Sequence, residues 1–355
     1  MDQFKIDSHK INYHISTLNN WLNKKMIYPI YVEVSPSGFC NHRCRFCALD
    51  YIAYQKRSIN ANLFKERLFE MSKLGVKSIM YAGEGEPLLH NNISEIIDET
   101  QKNGIDVAIT TNGVLLSQSL SENILSHVEW IKVSINAGTA DTYAYIHLTK
   151  TSDFEKVINN LSMAVKLKRL NHYPIVLGMQ MVLLPENHHE AFTLAKLAKD
   201  IGVDYIVIKP FSQHLYSKNN HYSKISYQKY YRLSDELEEL NDNSFNVIFR
   251  LETMKKWDKN SKPYTHCLAL PFWSYIDAGG NVWGCSAYLE NEKFRYGNIY
   301  ENTFQEIWEG QKRKDSLYWV EHELNIEKCR TNCRMDNINR YLWDITHPPK
   351  HVNFI

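Results

Sequence analysis

This sequence of 355 residues has no basic stripe. Its 41 Lys and Arg face 40 Asp and Glu, leaving a net charge of +1. Nucleic-acid binding leaves a Lys/Arg-rich footprint, so no nucleic-acid partner is expected. No apolar run is long enough to span a bilayer, which argues against a membrane partner. The opening Met1-Asp2-Gln3-Phe4-Lys5 lacks the apolar core of a signal peptide, and we expect a cytoplasmic chain. Internal repeats and low-complexity tracts are missing too. The cysteines do not come in pairs: there are 7, so a disulfide framework would leave one over.

What the chain does have is an apolar fraction of 44%, ordinary for a globular core. Its length suggests two domains, or one large barrel with an appendage. The cysteines fall into an early group, Cys40, Cys44 and Cys47, and a late group, Cys267, Cys285, Cys329 and Cys333. The early group reads Cys40-Asn41-His42-Arg43-Cys44-Arg45-Phe46-Cys47. Three thiolates ligate three irons of a four-iron cube and leave one iron open to a small molecule. The plain alternative is zinc with His42 as fourth ligand, although zinc sites ordinarily fold one close cysteine pair onto another.

Strand and helix signals alternate along the first two thirds. Ile30–Val34 reads as a first strand, and the cysteine triplet follows it. Further strands are predicted at 76–81, 105–110, 130–135, 175–184 and 205–208. Helices are predicted at 63–74, 93–102, 115–126, 154–170 and 189–201. Six such repeats predict a parallel sheet with outer helices, a partial (β/α)6 barrel of α/β class. We expect an N-terminal extension over 1–27 with an amphipathic patch around Ile15, Leu18, Trp21 and Leu22. The barrel should cover 28–212, and a solvated connector with one helix at 227–240 should cover 213–262. A cysteine-rich domain should cover 263–345, followed by a tail over 346–355. Within that domain a hairpin should turn at Ala278-Gly279-Gly280-Asn281.

Parallel α/β sheets place their sites at the carboxyl ends of the strands. After the second strand comes Ala82-Gly83-Glu84-Gly85-Glu86-Pro87, where glycines let a ligand approach the backbone and a carboxylate can hold an ammonium. After the third comes Thr110-Thr111-Asn112-Gly113, and the fourth ends in Ser134-Ile135-Asn136. On the fifth, Gln180 alternates with Met179 and Met181 and is expected to point inward. Glu33 sits within the apolar first strand. It is a substrate-site candidate, and a buried pairing with Lys209 is an equal alternative. Lys209, His214 and Arg250 are further candidates for a catalytic base by position.

The triplet, with Asn41 after its first cysteine and Phe46 before its third, resembles the cluster loop of radical S-adenosylmethionine (radical SAM) enzymes. Ala82–Leu89 resembles their Gly-Gly-Glu motif, except that Glu84 stands where the motif has its first glycine. Either Glu84 or Glu86 could then make the main contact. The late cysteines resemble a Twitch domain, the shortened form of the SPASM domain, with zinc as the alternative filling. Their spacing is also similar to that of aminocyclitol (2-deoxy-scyllo-inosamine) dehydrogenase-type members. The resemblance implies two [4Fe–4S] clusters, S-adenosyl-L-methionine (SAM) and a flavodoxin- or ferredoxin-type electron donor. It implies Cys40, Cys44 and Cys47 as ligands of an open cluster, and Cys267, Cys285, Cys329 and Cys333 as ligands of a closed one. Phe46, Glu84, Gly85, Glu86, Thr110, Asn112, Ser134 and Gln180 would contact SAM, while Glu33 and Lys209 are taken as catalytic by position alone. The implied chemistry is reductive cleavage of SAM to a 5′-deoxyadenosyl radical, which abstracts a substrate hydrogen. If both groups bind clusters, no cysteine remains to return that hydrogen, and a net oxidation follows. The expected substrate is a sugar or cyclitol bearing a hydroxyl. Peptide modification and redox-neutral epimerisation or elimination are the alternatives.

Overall fold

The computed structural model describes residues 4–259 and 261–354. Residues 1–3 of the expected extension, Asn260 of the expected connector and Ile355 of the expected tail lie outside the described residues. The strands are β1 (Tyr31–Val34), β2 (Ser78–Tyr81), β3 (Asp106–Thr111), β4 (Trp130–Ser134), β5 (Val176–Leu183), β6 (Tyr205–Pro210), β7 (Asn246–Phe249), β8 (Trp273–Ile276), β9 (Asn281–Trp283) and β10 (Arg295–Asn298). The helices are α1 (Ile15–Leu22), α2 (Ala61–Leu74), α3 (Ile93–Lys102), α4 (Gln118–Ile124), α5 (Ala140–His147) and α6 (Thr151–Leu170). They continue with α7 (Ala191–Ile201), α8 (Leu233–Glu238), α9 (Leu251–Lys259), α10 (Phe304–Glu309), α11 (Gln311–His322) and α12 (Asp336–Thr346).

All the strands join one sheet, ordered β10-β9-β8-β1-β2-β3-β4-β5-β6-β7. The six expected strands are β1 to β6, each parallel to its neighbour. The sheet is mixed and does not close into a barrel: among the described residues no ladder joins β7 to β10. Alternation fixes its two faces. Val32, Val34, Ile79, Tyr81, Val107, Ile109, Ile131, Val133, Leu177, Met179, Met181, Ile206 and Ile208 all lie in the main core. Each such buried side chain contributes roughly 1.5–3 kcal/mol. A one-residue slip of any strand would turn its apolar set away from the core, so register is strongly set. The opposite, inner face carries Glu33, Thr110, Lys132, Ser134, Gln180 and Lys209 by the same alternation.

The sheet extends beyond the six repeats at both edges. β7 pairs parallel with β6, within the segment expected to be a solvated connector. That segment is not a bridge: Tyr222, Tyr227, Tyr230, Phe245 and Ile248 are buried in it. The Tyr227 hydroxyl donates to the Leu183 carbonyl at 2.9 Å and accepts from the Phe211 amide at 2.7 Å, which anchors the segment to β5 and β6. Its expected helix shrinks to the short α8 with a 3₁₀ turn before it, because these buried tyrosines do not follow a helical period.

At the other edge β8 pairs parallel with β1, then turns back into β9 as the expected hairpin. The late cysteine region is therefore built onto the main sheet. The expected N-terminal helix is α1. Its Leu18 is buried with Phe272 and Leu342, so it packs against the late part of the chain. The helices α5, α9, α11 and α12 were not anticipated from the sequence.

Candidate functional site

The early cysteine loop leaves the carboxyl end of β1 and is held by backbone contacts on three sides. Gly38 N donates to Arg57 O at 2.9 Å, and Glu86 N to Phe39 O at 2.9 Å. Arg45 N donates to Ile146 O at 2.9 Å, at the end of α5. The Arg43 guanidinium lies 4.1 Å from the centre of the Tyr54 ring. Burial pushes the Cys40 thiol up to about 11, with Glu86 and Cys47 adding to it. Cys44 is held well above its ordinary value by burial, then by Cys47 and Cys40. The three thiols thus feel one another in a desolvated loop. They could ionise together only against a shared cationic centre, which is what a three-cysteine cluster site needs.

His42, Cys44 and His147 also bring ligand atoms within 4.8 Å of one another, which bears on the zinc alternative. Cys44 Sγ lies 3.3 Å from His147 Nδ1. Both histidines are engaged elsewhere: His42 Nε2 faces Asp153 at 3.3 Å, and His147 stacks on Tyr143 at 4.1 Å and meets Asn136. We read them as packing around the loop. Phe46 lies edge-on to the His147 ring at 5.9 Å.

At the end of β2 the two glutamates have different partners. Glu84 turns toward Arg57, at 3.0 Å, and its other oxygen accepts from Ala278 N at 3.4 Å. Arg57 also faces Asp277 at 3.7 Å. Asp277 organises the β8–β9 turn, accepting from Gly279 N at 2.8 Å and Trp283 Nε1 at 2.9 Å. Glu84 is therefore committed to joining the end of β2 to the late hairpin. Burial raises its carboxyl to about 7, with Asp277 adding and Arg57 opposing.

Glu86, 2% exposed, takes Thr111 Oγ1 at 2.5 Å, Asn112 N at 2.7 Å and Leu88 N at 3.1 Å. Burial lifts it to about 7 against those three donors. Between the two glutamates, a Cβ on Gly85 would lie 2.2 Å from Phe39 O, so this glycine admits the cysteine loop itself. The sequence argument assigned that close approach to a ligand, and here the neighbour is backbone.

Asn112 Nδ2 reaches Asn41 Oδ1 at 2.6 Å, tying the end of β3 to the cysteine loop. Thr110 Oγ1 faces Met80 Sδ at 3.6 Å on the inner face. Ser134 stands opposite Gln180 in register, and Met179 and Met181 point to the core on the other side. Glu33 is buried and faces the Arg334 guanidinium. The alternative pairing of Glu33 with Lys209 is not formed, because Arg334, directly after Cys333, reaches Glu33 first.

The late cysteines converge under β8 and β9. They share an apolar cluster with Trp273, Tyr275, Trp283 and Phe294. Asn339 of α12 accepts from Leu268 N at 2.7 Å and donates to Cys267 Sγ at 3.4 Å. Tyr288 Oη lies 3.2 Å from Cys329 Sγ, and Met335 N donates to Cys333 Sγ at 3.4 Å. Burial pushes Cys267 up to about 12, with Cys333 next in effect. Cys285 is held well above its ordinary range by burial, then by Cys333, Cys267 and Cys329.

Residues 34–198 match the radical SAM superfamily, and residues 267–334 match SPASM, an iron–sulfur cluster-binding domain. The chain carries a radical SAM domain joined to a SPASM domain. It is 28% identical over 193 residues to a GTP 3′,8-cyclase of Chlorobaculum tepidum, covering 52% of this chain and 55% of that protein. It is 33% identical over 190 residues to a GTP 3′,8-cyclase of Clostridium acetobutylicum, covering 52% and 57%. The chain thus spans little more than half the length of these relatives. Streptococcus suis SuiB bound to precursor peptide SuiA has a similar fold, with TM-score 0.65 and 16% identity over 84% of this chain and 68% of that one. So does anSMEcpe with bound AdoMet, with TM-score 0.60 and 18% identity over 88% of both chains.

A radical SAM domain takes a [4Fe–4S] cluster and SAM, and a SPASM domain takes further iron–sulfur. The residues present fit both: three half-buried thiols close enough to raise one another at one strand end, and four at the other site. Arg57, Asp277, Arg334 and Asn339 were missed as site-building residues. Only Arg334 had a local signal, its place beside Cys333.

Proposed function

We propose that this chain oxidises a hydroxyl-bearing carbon of a sugar or cyclitol by radical SAM chemistry. The open cluster and SAM, when bound, supply a carbon-centred radical able to abstract a substrate hydrogen. The observation that carries the reading is the disposition of the 7 cysteines, three in one group and four in the other. None is left over as a hydrogen-atom donor. Four thiolates leave no open iron, which suits the late site to receive an electron. The β8–β1 pairing, which builds both sites onto one sheet, supports that transfer.

In this reading Cys40, Cys44 and Cys47 hold the open cluster. Phe46, Gly85, Glu86, Thr110, Asn112, Ser134 and Gln180 shape the SAM pocket, and Glu84 braces it through Arg57. Glu33 is the proton acceptor, oriented by Arg334, while Lys209 faces the same inner space. Residues 28–212 form the core and 263–345 the late domain, here read as the shortened Twitch form, with 213–262 contributing β7. An electron donor of flavodoxin or ferredoxin type and a cytoplasmic setting belong to the same proposal.

The relatives named as GTP 3′,8-cyclases favour a second reading, a redox-neutral rearrangement. Anaerobic incubation with SAM, dithionite and candidate sugars or cyclitols separates the two. Oxidation requires 5′-deoxyadenosine together with a product lighter by one hydrogen molecule. A product with the mass of its substrate would reject it.

A further inference from the structure

The inner face of the sheet holds two lysines, one of them the candidate Lys209, whose charges no ion pair described so far satisfies. Lys132 on β4 shares its face with Trp130 and Ser134, away from Ile131 and Val133 in the core. Its ammonium lies 5.3 Å from the centre of the Trp130 ring. Lys209 on β6 shares its face with Tyr205 and Val207, away from Ile206 and Ile208. Both flank β5: Lys132 stands opposite Gly178, and Lys209 opposite Val182 near the carboxyl end. Both are partly accessible.

Two arginines complete the corner. Arg250 follows β7 and is paired with Asp7 at 2.9 Å. Arg330 comes from the SPASM domain and donates to Ser212 Oγ at 3.1 Å. Among the described residues neither lysine has an ion-pair partner. Burial, then Lys132, Arg250 and Arg330, pull the Lys209 ammonium well below its ordinary range. Burial and then Arg250 bring Lys132 down to about 8. Partly desolvated cations without a counter-charge are costly, and an anion reached by both side chains from one face of the sheet would offset that cost.

We propose that this corner binds a phosphate group of the substrate, with Lys132 and Lys209 as its anchors. The inference rests on the reading of the inner face as the substrate site, and it narrows the substrate to a phosphorylated one such as a sugar phosphate or nucleotide sugar. Lysine suits this role, since an ammonium is a compact charge with rotatable donors that needs no planar match to the anion. Arg330 brings the SPASM domain to the same anion, so substrate binding draws on both domains. Lys209 then stays charged and anchors substrate, leaving the proton-accepting role to Glu33.

The test is binding without turnover. Reconstituted protein with SAM is titrated calorimetrically with inorganic pyrophosphate, glucose 1-phosphate, glucuronate and myo-inositol. Pyrophosphate and glucose 1-phosphate should bind saturably. Lys132→Met and Lys209→Met should each weaken binding by about tenfold or more. The double variant should melt higher than the parent without anion and gain nothing from pyrophosphate. Undiminished binding in the double variant, or binding of glucuronate but not of the phosphates, overturns the proposal. So does a double variant that melts lower, since the lysines would then be structural. Because no product is measured, failure of the oxidation reading leaves these results interpretable.

Discussion

Asn112 donates its backbone amide to the Glu86 carboxylate at 2.7 Å. This bond closes the end of β2 onto the end of β3, and the Asn112 side chain carries the link on to Asn41 in the cysteine loop. Glu86 thus acts as a bracket between strand ends. A carboxylate there holds three donors whose loss would leave buried amides unpaired.

The bracket has a pH signature. Burial lifts Glu86 from 4.5 to about 7. The native state therefore keeps its proton over a range where the unfolded chain has lost it. Stability from this group is full below about 4.5 and is lost as pH rises through about 7. Glu86→Gln has no proton to lose. Between pH 6 and 8 its unfolding free energy from urea titration should fall less than that of the parent, by a difference on the order of 1 kcal/mol. Equal slopes in the two proteins would refute the assignment.

Among the described residues, Arg57 is the one cation paired with both Glu84 and Asp277. Arg57→Ala leaves two carboxylates facing each other at the junction of barrel and hairpin. Removing one partner of a largely buried pair costs roughly 3–5 kcal/mol, and the partial exposure of Arg57 puts the expectation at the lower end. Glu84 should rise further above 7 without Arg57, so the deficit should grow from pH 6 to pH 8. Thermal melts at the two pH values measure this, and a variant as stable as the parent at both would show that the network carries nothing.

Much of this architecture was legible because its signals are local. Six apolar runs broken by turn residues mark β1 to β6, and the two cysteine groups mark the two sites. What escaped reading depends on distant partners. β8 looks like half of a hairpin until β1 is placed beside it. α5 carries only Tyr143, Ile146 and His147 as buried positions, too few for a clear helical period, yet it delivers His147 to Cys44. The same holds for Glu84. Its neighbours in sequence suggest a ligand contact, whereas its actual partners, Arg57 and the Ala278 amide, come from a loop and a hairpin distant in sequence.

Metal content separates the cluster reading from zinc. Anaerobically reconstituted protein should hold about eight irons, as two four-iron cubes. The triple variant Cys40→Ala, Cys44→Ala, Cys47→Ala should keep about four irons and lose SAM cleavage entirely, read as 5′-deoxyadenosine. Stoichiometric zinc beside only about four irons in the parent would remove the late cluster.

The last expectation tests what the late cluster is for. Cys329→Ala with Cys333→Ala removes two of its four thiols and leaves the early loop intact. Asn339 still fixes the segment after Cys267, and Asp277 still holds the β8–β9 turn. The strand pairing of β8 with β1 should therefore survive loss of the metal, although a domain built around a cluster can unfold without it, so circular dichroism and iron content are measured first. If the late cluster receives the electron, the folded variant should still cleave SAM. It should still move deuterium from labelled substrate into 5′-deoxyadenosine, while oxidised product falls to a small fraction of the parent yield. The abstraction step needs only the early cysteines and the inner face, whereas the net oxidation needs somewhere for the second electron to go. A folded double variant that forms product at the full rate would make the late cluster structural. Oxidation would then lose its electron acceptor, and a rearrangement that returns the hydrogen to substrate would become the better account.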